Sequence, residues 1–281
     1  MTQITIKRAV NASGVGLHSG KKVTLTLHPA AVDHGIVFQR LDLEGAPKIH
    51  ALWDRATESQ LCTMIAENDV SVATIEHLMA ALRAASIDNV LVTLDGPEVP
   101  IMDGSAEPFA FLLSCAGIQE QKAPKKYLRI LKTVTVSDGD KSASFEPGDV
   151  PAYEFEVDFD HPVIGHQERR LTLVNGNFLT QVSRARTFGF AHEVEYMRSK
   201  GLAQGGSLDN AIVLDREKVL NENGLRFSDE FVRHKILDAV GDLYLAGVPI
   251  LGLYKGVKAG HALNNKLLRA VFADPANYQI I

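Results

Sequence analysis

The segment Phe231-Val-Arg-His-Lys-Ile-Leu-Asp-Ala-Val-Gly-Asp242 constrains this chain more than any other. It falls in a helix predicted over roughly Asp229 to Ala246, opening after Ser228. Phe231, Val232, Ile236, Leu237, Val240, Leu243 and Leu245 spread around its axis, so little of it is free to face water. A helix apolar nearly all round belongs inside a protein, covered by other elements. Yet it carries His234 and Asp238, four residues apart, hence on one face and about 6 Å apart along the axis. Buried polar groups need partners. A His-x3-Asp pair on a helix also serves as a surface pair or a capping contact. In this apolar setting a metal ion is a second reading, because imidazole nitrogen and carboxylate oxygen both bind Zn²⁺ at about 2 Å. Asp242 lies about 12 Å of rise from His234, too far to ligate easily with both, but placed to orient another group.

Two further clusters carry chemistry. Glu76-His77 lies in a helix predicted over Ser71 to Arg83, with Ser71 as its cap and Val72, Ile75, Leu78, Met79 and Leu82 at three- and four-residue spacing. Adjacent helical residues point about 100° apart. One of the two can bind a metal while the other faces its open position, which is what metal-assisted hydrolysis requires. The alternative is a surface Glu beside a satisfied core His. Gly260-His261 sits just before another helix. His261 either simply begins that helix or acts as a general acid. The helix N-terminus would lower its pKa and a nearby Asp such as Asp242 would raise it.

The organisation is paired. A strand at Asn89–Leu94, a turn at Asp95-Gly96-Pro97 and a helix from about Ala106 to Cys115 follow the Glu76-His77 helix. In the second half a strand at Ile250–Val257 and a helix from about Ala262 to Phe272 follow the His234 helix. The shared helix–strand–helix order suggests a duplicated unit. The residues before Val10, and those in Lys126–Val136 and Ala152–Phe159, alternate like strands. Ile118 to Tyr127, polar and broken by Pro124, reads as a linker. The expectation is an α+β fold of two similar domains, residues 1–121 and 126–281, with helices packed between two sheets.

Bulk properties exclude several function classes. A net charge of −5 with no long basic run argues against a nucleic-acid-binding face. Two cysteines far apart, Cys62 and Cys115, indicate neither a disulfide framework nor a thiolate zinc site, and favour a reducing cytosol. No apolar run of about 18 residues marks a membrane span, and the N-terminus lacks a signal-peptide core.

The segments Gly14-Val-Gly-Leu-His-Ser-Gly20, Thr74-Ile-Glu-His-Leu78, Pro100-Ile-Met-Asp-Gly-Ser105, Ser183-Arg-Ala-Arg-Thr-Phe-Gly-Phe190, Phe231–Asp238 and Gly260-His-Ala-Leu-Asn-Asn-Lys266 occur in this order. Together they resemble the UDP-3-O-acyl-N-acetylglucosamine deacetylase family, zinc enzymes of lipid A synthesis in Gram-negative bacteria. The resemblance implies that His77, His234 and Asp238 hold the metal, that Glu76 is the general base and His261 the general acid, and that Asp242 orients His261. It implies a place for Thr187 beside the oxyanion and for Phe159 against the nucleotide base. Lys141, Lys235 and Lys258 would face the diphosphate and sugar; His18 and Phe190 would line the substrate groove. Residues 191–223 resemble an insert that forms a passage for the acyl chain. Val194, Leu202 and Val213 are its plausible walls or else plain core, and Cys62 either edges the passage or is inertly buried. The implied substrate is UDP-3-O-(3-hydroxyacyl)-N-acetylglucosamine, handled by a cytoplasmic monomer. Zn²⁺ is the expected metal, with Fe²⁺ also acceptable to a His₂Asp site. Two rivals remain: a metal-stabilised nucleotide-sugar-binding protein and a different metal-dependent amidohydrolase. A base and an acid, Glu76 and His261, are what a purely structural metal site would not need.

Overall fold

Alternation with period two builds the first sheet. In Lys22–Pro29 it turns Val23, Leu25 and Leu27 to one buried face. This strand lies second in a five-stranded sheet ordered Val10–Val15, Lys22–Pro29, Val90–Leu94, Ile36–Arg40, Lys48–His50. The central strand, Val90–Leu94, runs antiparallel to Lys22–Pro29 and parallel to Ile36–Arg40. These pairings come from a computed structural model, which describes residues 1–281 except Glu58, Gln60 and Asn175.

The second half repeats the plan. Val134–Asp138, Lys141–Glu146, Ile250–Val257, Pro151–Phe159 and Gly165–Thr172 pair in that spatial order. Ile250–Val257 is central, antiparallel to Lys141–Glu146 and parallel to Pro151–Phe159. Order and sense match the first sheet strand for strand, which is the structural counterpart of the repeated helix–strand–helix order. Leu128–Ile130 and Tyr278–Ile280 extend this sheet to seven strands.

The helices lie between the sheets. Glu76–Ala84 packs on Glu230–Leu243, which also meets the Pro151–Phe159 strand and the His261–Ala273 helix; Glu107–Ala116 lies beside Glu76–Ala84. One hydrophobic core joins Leu25, Phe38 and Val92 of the first sheet, Leu78, Met79, Ile236 and Val240 of the helices, and Phe145, Phe155 and Tyr254 of the second sheet. The two buried helices approach backbone to backbone at Gly241, where an added Cβ would lie 2.0 Å from the Glu76 carbonyl oxygen. Only glycine fits there.

Three sequence expectations need correction. The first helix begins at Glu76 rather than Ser71: Val70–Val72 is a strand paired with Met64–Glu67, so Ser71 is no cap. The intervening Thr74 has φ 56°, a left-handed conformation that β-branched residues rarely adopt, and its hydroxyl donates to Glu98 at 2.8 Å. The segment expected to be a linker is mostly a strand, Ile118–Pro124, antiparallel to Thr2–Ile6; it is polar because this strand is largely exposed. The stretch Lys126–Val136 is two strands, Leu128–Ile130 and Val134–Asp138, rather than one. Within residues 191–223 lie a helix with no buried residue, Ala191–Ser199, and a strand, Ile212–Leu214, parallel to Phe188–Phe190. Among the described residues no helix is long and apolar enough to cross a membrane.

Candidate active site

The helix crossing brings His77, on the first turn of Glu76–Ala84, against His234 and Asp238 of Glu230–Leu243. One donor atom from each lies within 4.8 Å of the others. His77 Nε2 is 3.6 Å and His234 Nε2 3.3 Å from Asp238 Oδ1. All three side chains are buried. His234 Nδ1 sits 3.0 Å from the Ala185 carbonyl, so it carries the ring proton and leaves the Nε2 lone pair facing the cluster. Among the described residues, Asp238 Oδ1 and His77 Nδ1 have no hydrogen-bond partner. A buried carboxylate oxygen without a donor, between two imidazole nitrogens, fits a divalent cation.

Electrostatics point the same way. Burial drives the His234 pKa down to about 3, leaving it neutral and able to ligate. Burial also opposes charge on Asp238, yet His234 and Lys235 beside it hold its carboxyl well below the usual range. With His234 neutral, the cations responsible near pH 7 are Lys235, whose Nζ is 2.9 Å from Asp238 Oδ2, and His261.

Two proton-carrying groups flank the cluster. Glu76 is buried, and burial lifts its pKa above the ordinary glutamate value. Its Oε2 accepts the Thr63 N–H at 3.0 Å. His261, at the N-terminus of His261–Ala273, donates from Nδ1 to Asp242 Oδ2 at 2.9 Å. Burial would lower its pKa, but Asp242, by charge and hydrogen bond, together with Glu76 and Asp238, raises it to about 9. Of the influences that raise it, the nearby carboxylate visible in the sequence is the strongest. Asp242 also accepts from the Thr63 hydroxyl at 2.5 Å and from Asn264 Nδ2 at 2.8 Å.

His77, His234, Asp238, Glu76 and His261 line one cavity of about 860 Å³. Thr187, His18, Lys141, Phe159, Lys235, Lys258, Val194 and Val213 line it too. Lys258 is held by Asp140 at 3.1 Å and Asp158 at 3.2 Å. Phe190, Leu202 and Cys62 are not in its lining. Phe190 instead packs against Phe159 and His161, with ring centroids 6.1 and 5.7 Å away. Leu202 is half-buried, its N–H bonded to the Met197 carbonyl. Cys62 is buried, its thiol pushed up to about 12 chiefly by burial, so it remains an inert thiol. Much of the apolar wall comes from residues the sequence reading passed over: Leu17, Leu61, Met197, Leu208, Ala211 and Leu220.

Three polar residues also escaped that reading. Asn264 follows His261 by three positions on the same helix, so its spacing could have revealed it. Glu98, buried, accepts the N–H groups of His18 and Ser19 at 2.9 Å each and fixes the His18 loop on the cavity wall. Thr63 offered no local signal.

A His₂Asp cluster opening on a cavity, with a buried carboxylate and an aspartate-paired imidazolium beside it, on a duplicated α+β frame, defines a hydrolase with a candidate metal centre. The model of the family described as UDP-3-O-acyl N-acetylglycosamine deacetylase matches residues 3–273. UDP-3-O-acyl-N-acetylglucosamine deacetylases of Xanthomonas oryzae pv. oryzae (strain PXO99A) and Stenotrophomonas maltophilia (strain K279a) are each 54% identical over 279 residues, 99% of this chain and 92% of theirs. That of Xanthomonas campestris pv. campestris (strain B100) is 53% identical over the same shares. The chain belongs to the UDP-3-O-acyl N-acetylglycosamine deacetylase family.

Proposed function

We propose that this protein hydrolyses the N-acetyl group of UDP-3-O-(3-hydroxyacyl)-N-acetylglucosamine, releasing acetate and the free amine, an early step of lipid A synthesis. The observation that carries this reading is the buried His77–His234–Asp238 cluster facing a large cavity beside Glu76 and His261. A divalent cation, Zn²⁺ or Fe²⁺, held by these three side chains supplies Lewis acidity toward water and the amide carbonyl.

The chain's own groups carry the protons. Glu76, its carboxylate fixed by the Thr63 N–H, accepts a proton from water as the oxygen adds to the acetamide carbon. The Thr187 hydroxyl donates to the developing oxyanion. The C–N bond then breaks and His261, protonated at neutral pH, gives its Nε2 proton to the leaving amine. Asp242 keeps Nδ1–H in place, so the neutral tautomer left behind is defined. Lys141, Lys235 and Lys258 line the cavity to face the diphosphate and sugar, Lys235 and Lys258 with their charge shared with Asp238 and with Asp140 and Asp158, and Phe159 offers a ring face to the base. Val194 and Val213 with the other apolar residues receive the acyl chain.

This reading takes the chain as two domains, 1–121 and 126–281, acting as a cytoplasmic monomer; all three metal donors come from one chain. Acetate release from the acylated UDP-sugar, with metal content measured in parallel, tests it. Wild-type protein loaded with zinc turns over, and stripped protein regains turnover on adding metal. Glu76→Gln keeps the metal and loses turnover. A Glu76→Gln protein that instead loses its metal makes Glu76 a ligand and overturns the assignment.

A further inference from the structure

Glu76 and His261 lie on different repeats, yet one residue touches both of their networks. Thr63 sits on the loop entering the Met64–Glu67 strand and is buried. All of its polar groups are engaged. Its N–H donates to Glu76 Oε2 at 3.0 Å, and its carbonyl accepts from the N–H of Ile75, the residue just before Glu76, at 3.3 Å. Its hydroxyl donates to Asp242 Oδ1 at 2.5 Å and lies 3.2 Å from His261 Nδ1. Among the described residues, no other hydrogen-bonds the carboxylates of both Glu76 and Asp242.

We propose that Thr63 is a positioning residue that ties base to acid: its backbone N–H aims the Glu76 carboxylate while its hydroxyl aims Asp242, and through it His261. This rests on the acid–base roles given above. Base and acid act in succession on neighbouring atoms of one substrate, the first at the attacking oxygen and the second at the departing nitrogen. Their mutual placement must therefore hold to a fraction of an ångström. The Asp242 carboxylate accepts from His261 and Asn264 on Oδ2, and from Thr63 on Oδ1. Without the hydroxyl, Oδ1 loses its donor and the carboxylate is free to rotate, carrying the imidazole with it. The Glu76 contact is unaffected by such a change, because it is made by backbone.

Two substitutions separate these parts. Thr63→Val keeps the shape and the N–H but loses the hydroxyl; Thr63→Ser restores a hydroxyl. The expected result is a kcat for Thr63→Val about ten- to a hundredfold below wild type, the scale of one hydrogen bond to a charged group, with KM and metal content unchanged. Thr63→Ser recovers most of it. If Thr63 acts through Asp242, adding Thr63→Val to Asp242→Asn costs little further, about twofold or less, because neighbouring groups in one network are non-additive. The proposal falls if Thr63→Val turns over like wild type, if Thr63→Ser is as slow as Thr63→Val, or if the two effects multiply in the double variant. Should Thr63→Val fail to fold, Thr63→Ala in the same cycle carries the same outcomes. If Glu76→Gln and Asp242→Asn each retain turnover, it is the underlying acid–base assignment that falls, whatever Thr63 does.

Discussion

His261 can be an acid at neutral pH because Asp242, by charge and hydrogen bond, and the charges of Glu76 and Asp238 together outweigh burial. Its pKa of about 9 lies above the usual 6.5, with Asp242 the strongest influence raising it. In the metal-free protein the donating form therefore persists until the pH rises through about 9; in the loaded protein kcat/KM should fall along the alkaline limb that the same group sets. In Asp242→Asn the charge is gone and burial dominates, so the limb moves to lower pH and turnover at pH 8 drops; a pH–rate profile of both proteins checks this. The sign for stability is the same. Because the folded pKa is raised, the His261–Asp242 contribution is complete below about 6.5 and lost as the pH climbs through about 9. Melting curves of metal-stripped protein across that range measure it. At this scale His234 and Asp238 stand out in the sequence by their spacing on one helix, and Glu76, His77 and His261 by residue type, while the roles given to all five come from the family resemblance. Thr63 does not stand out, because its role arises only where two stretches 179 residues apart meet.

Among the elements, the crossing of Glu76–Ala84 with Glu230–Leu243 sets the distance between the candidate metal donors. Gly241→Ala would push a methyl into the Glu76 carbonyl, 2.0 Å from the new Cβ. Forcing atoms into a packed contact costs about 1–3 kcal/mol, so a lower melting temperature is expected, together with weaker metal retention as His77 shifts from Asp238. Calorimetry and metal analysis read the two effects. The element boundaries show what patterning can convey. The short apolar run Ile250–Val257 matches the observed strand to the residue, and in the structure it alternates between buried and half-buried positions along its whole length. The first helix was read as starting too early because Val72 and Ile75 are as deeply buried as the helix itself. Periodicity does not separate strand from helix in a short, wholly buried run. The Ile118–Pro124 strand looked like a linker because edge ribbons in water need few apolar residues.

For the molecule as a whole, a cation held at the candidate site would be a cross-link between repeats, with His77 from one and His234 and Asp238 from the other. Chelation should lower the melting temperature beyond any local effect. At free metal about 1,000 times the dissociation constant, the lost stabilisation is about 4 kcal/mol. Thermal melts with and without chelator, and the failure of His77→Ala to respond, test this. The cavity carries a second whole-molecule expectation. Acyl binding should weaken by about 0.8 kcal/mol per CH₂ removed from the substrate, measurable as rising KM along a chain-length series. The duplicated frame was legible as repeated element order, but the cavity wall was not. Leu17, Leu61 and Leu220 come from three distant loops, and no local pattern distinguishes an apolar residue facing a ligand from one facing the core.

Strand for strand, the two sheets copy one another, but the helices packed on them contribute differently to the candidate centre: the first repeat carries Glu76 and His77, the second His234, Asp238 and His261. On the proposed roles, neither copy would be a complete catalyst. Divergence after duplication would then have left each half free to specialise, and the seam between them, rather than either unit, is where a change most directly alters the reaction.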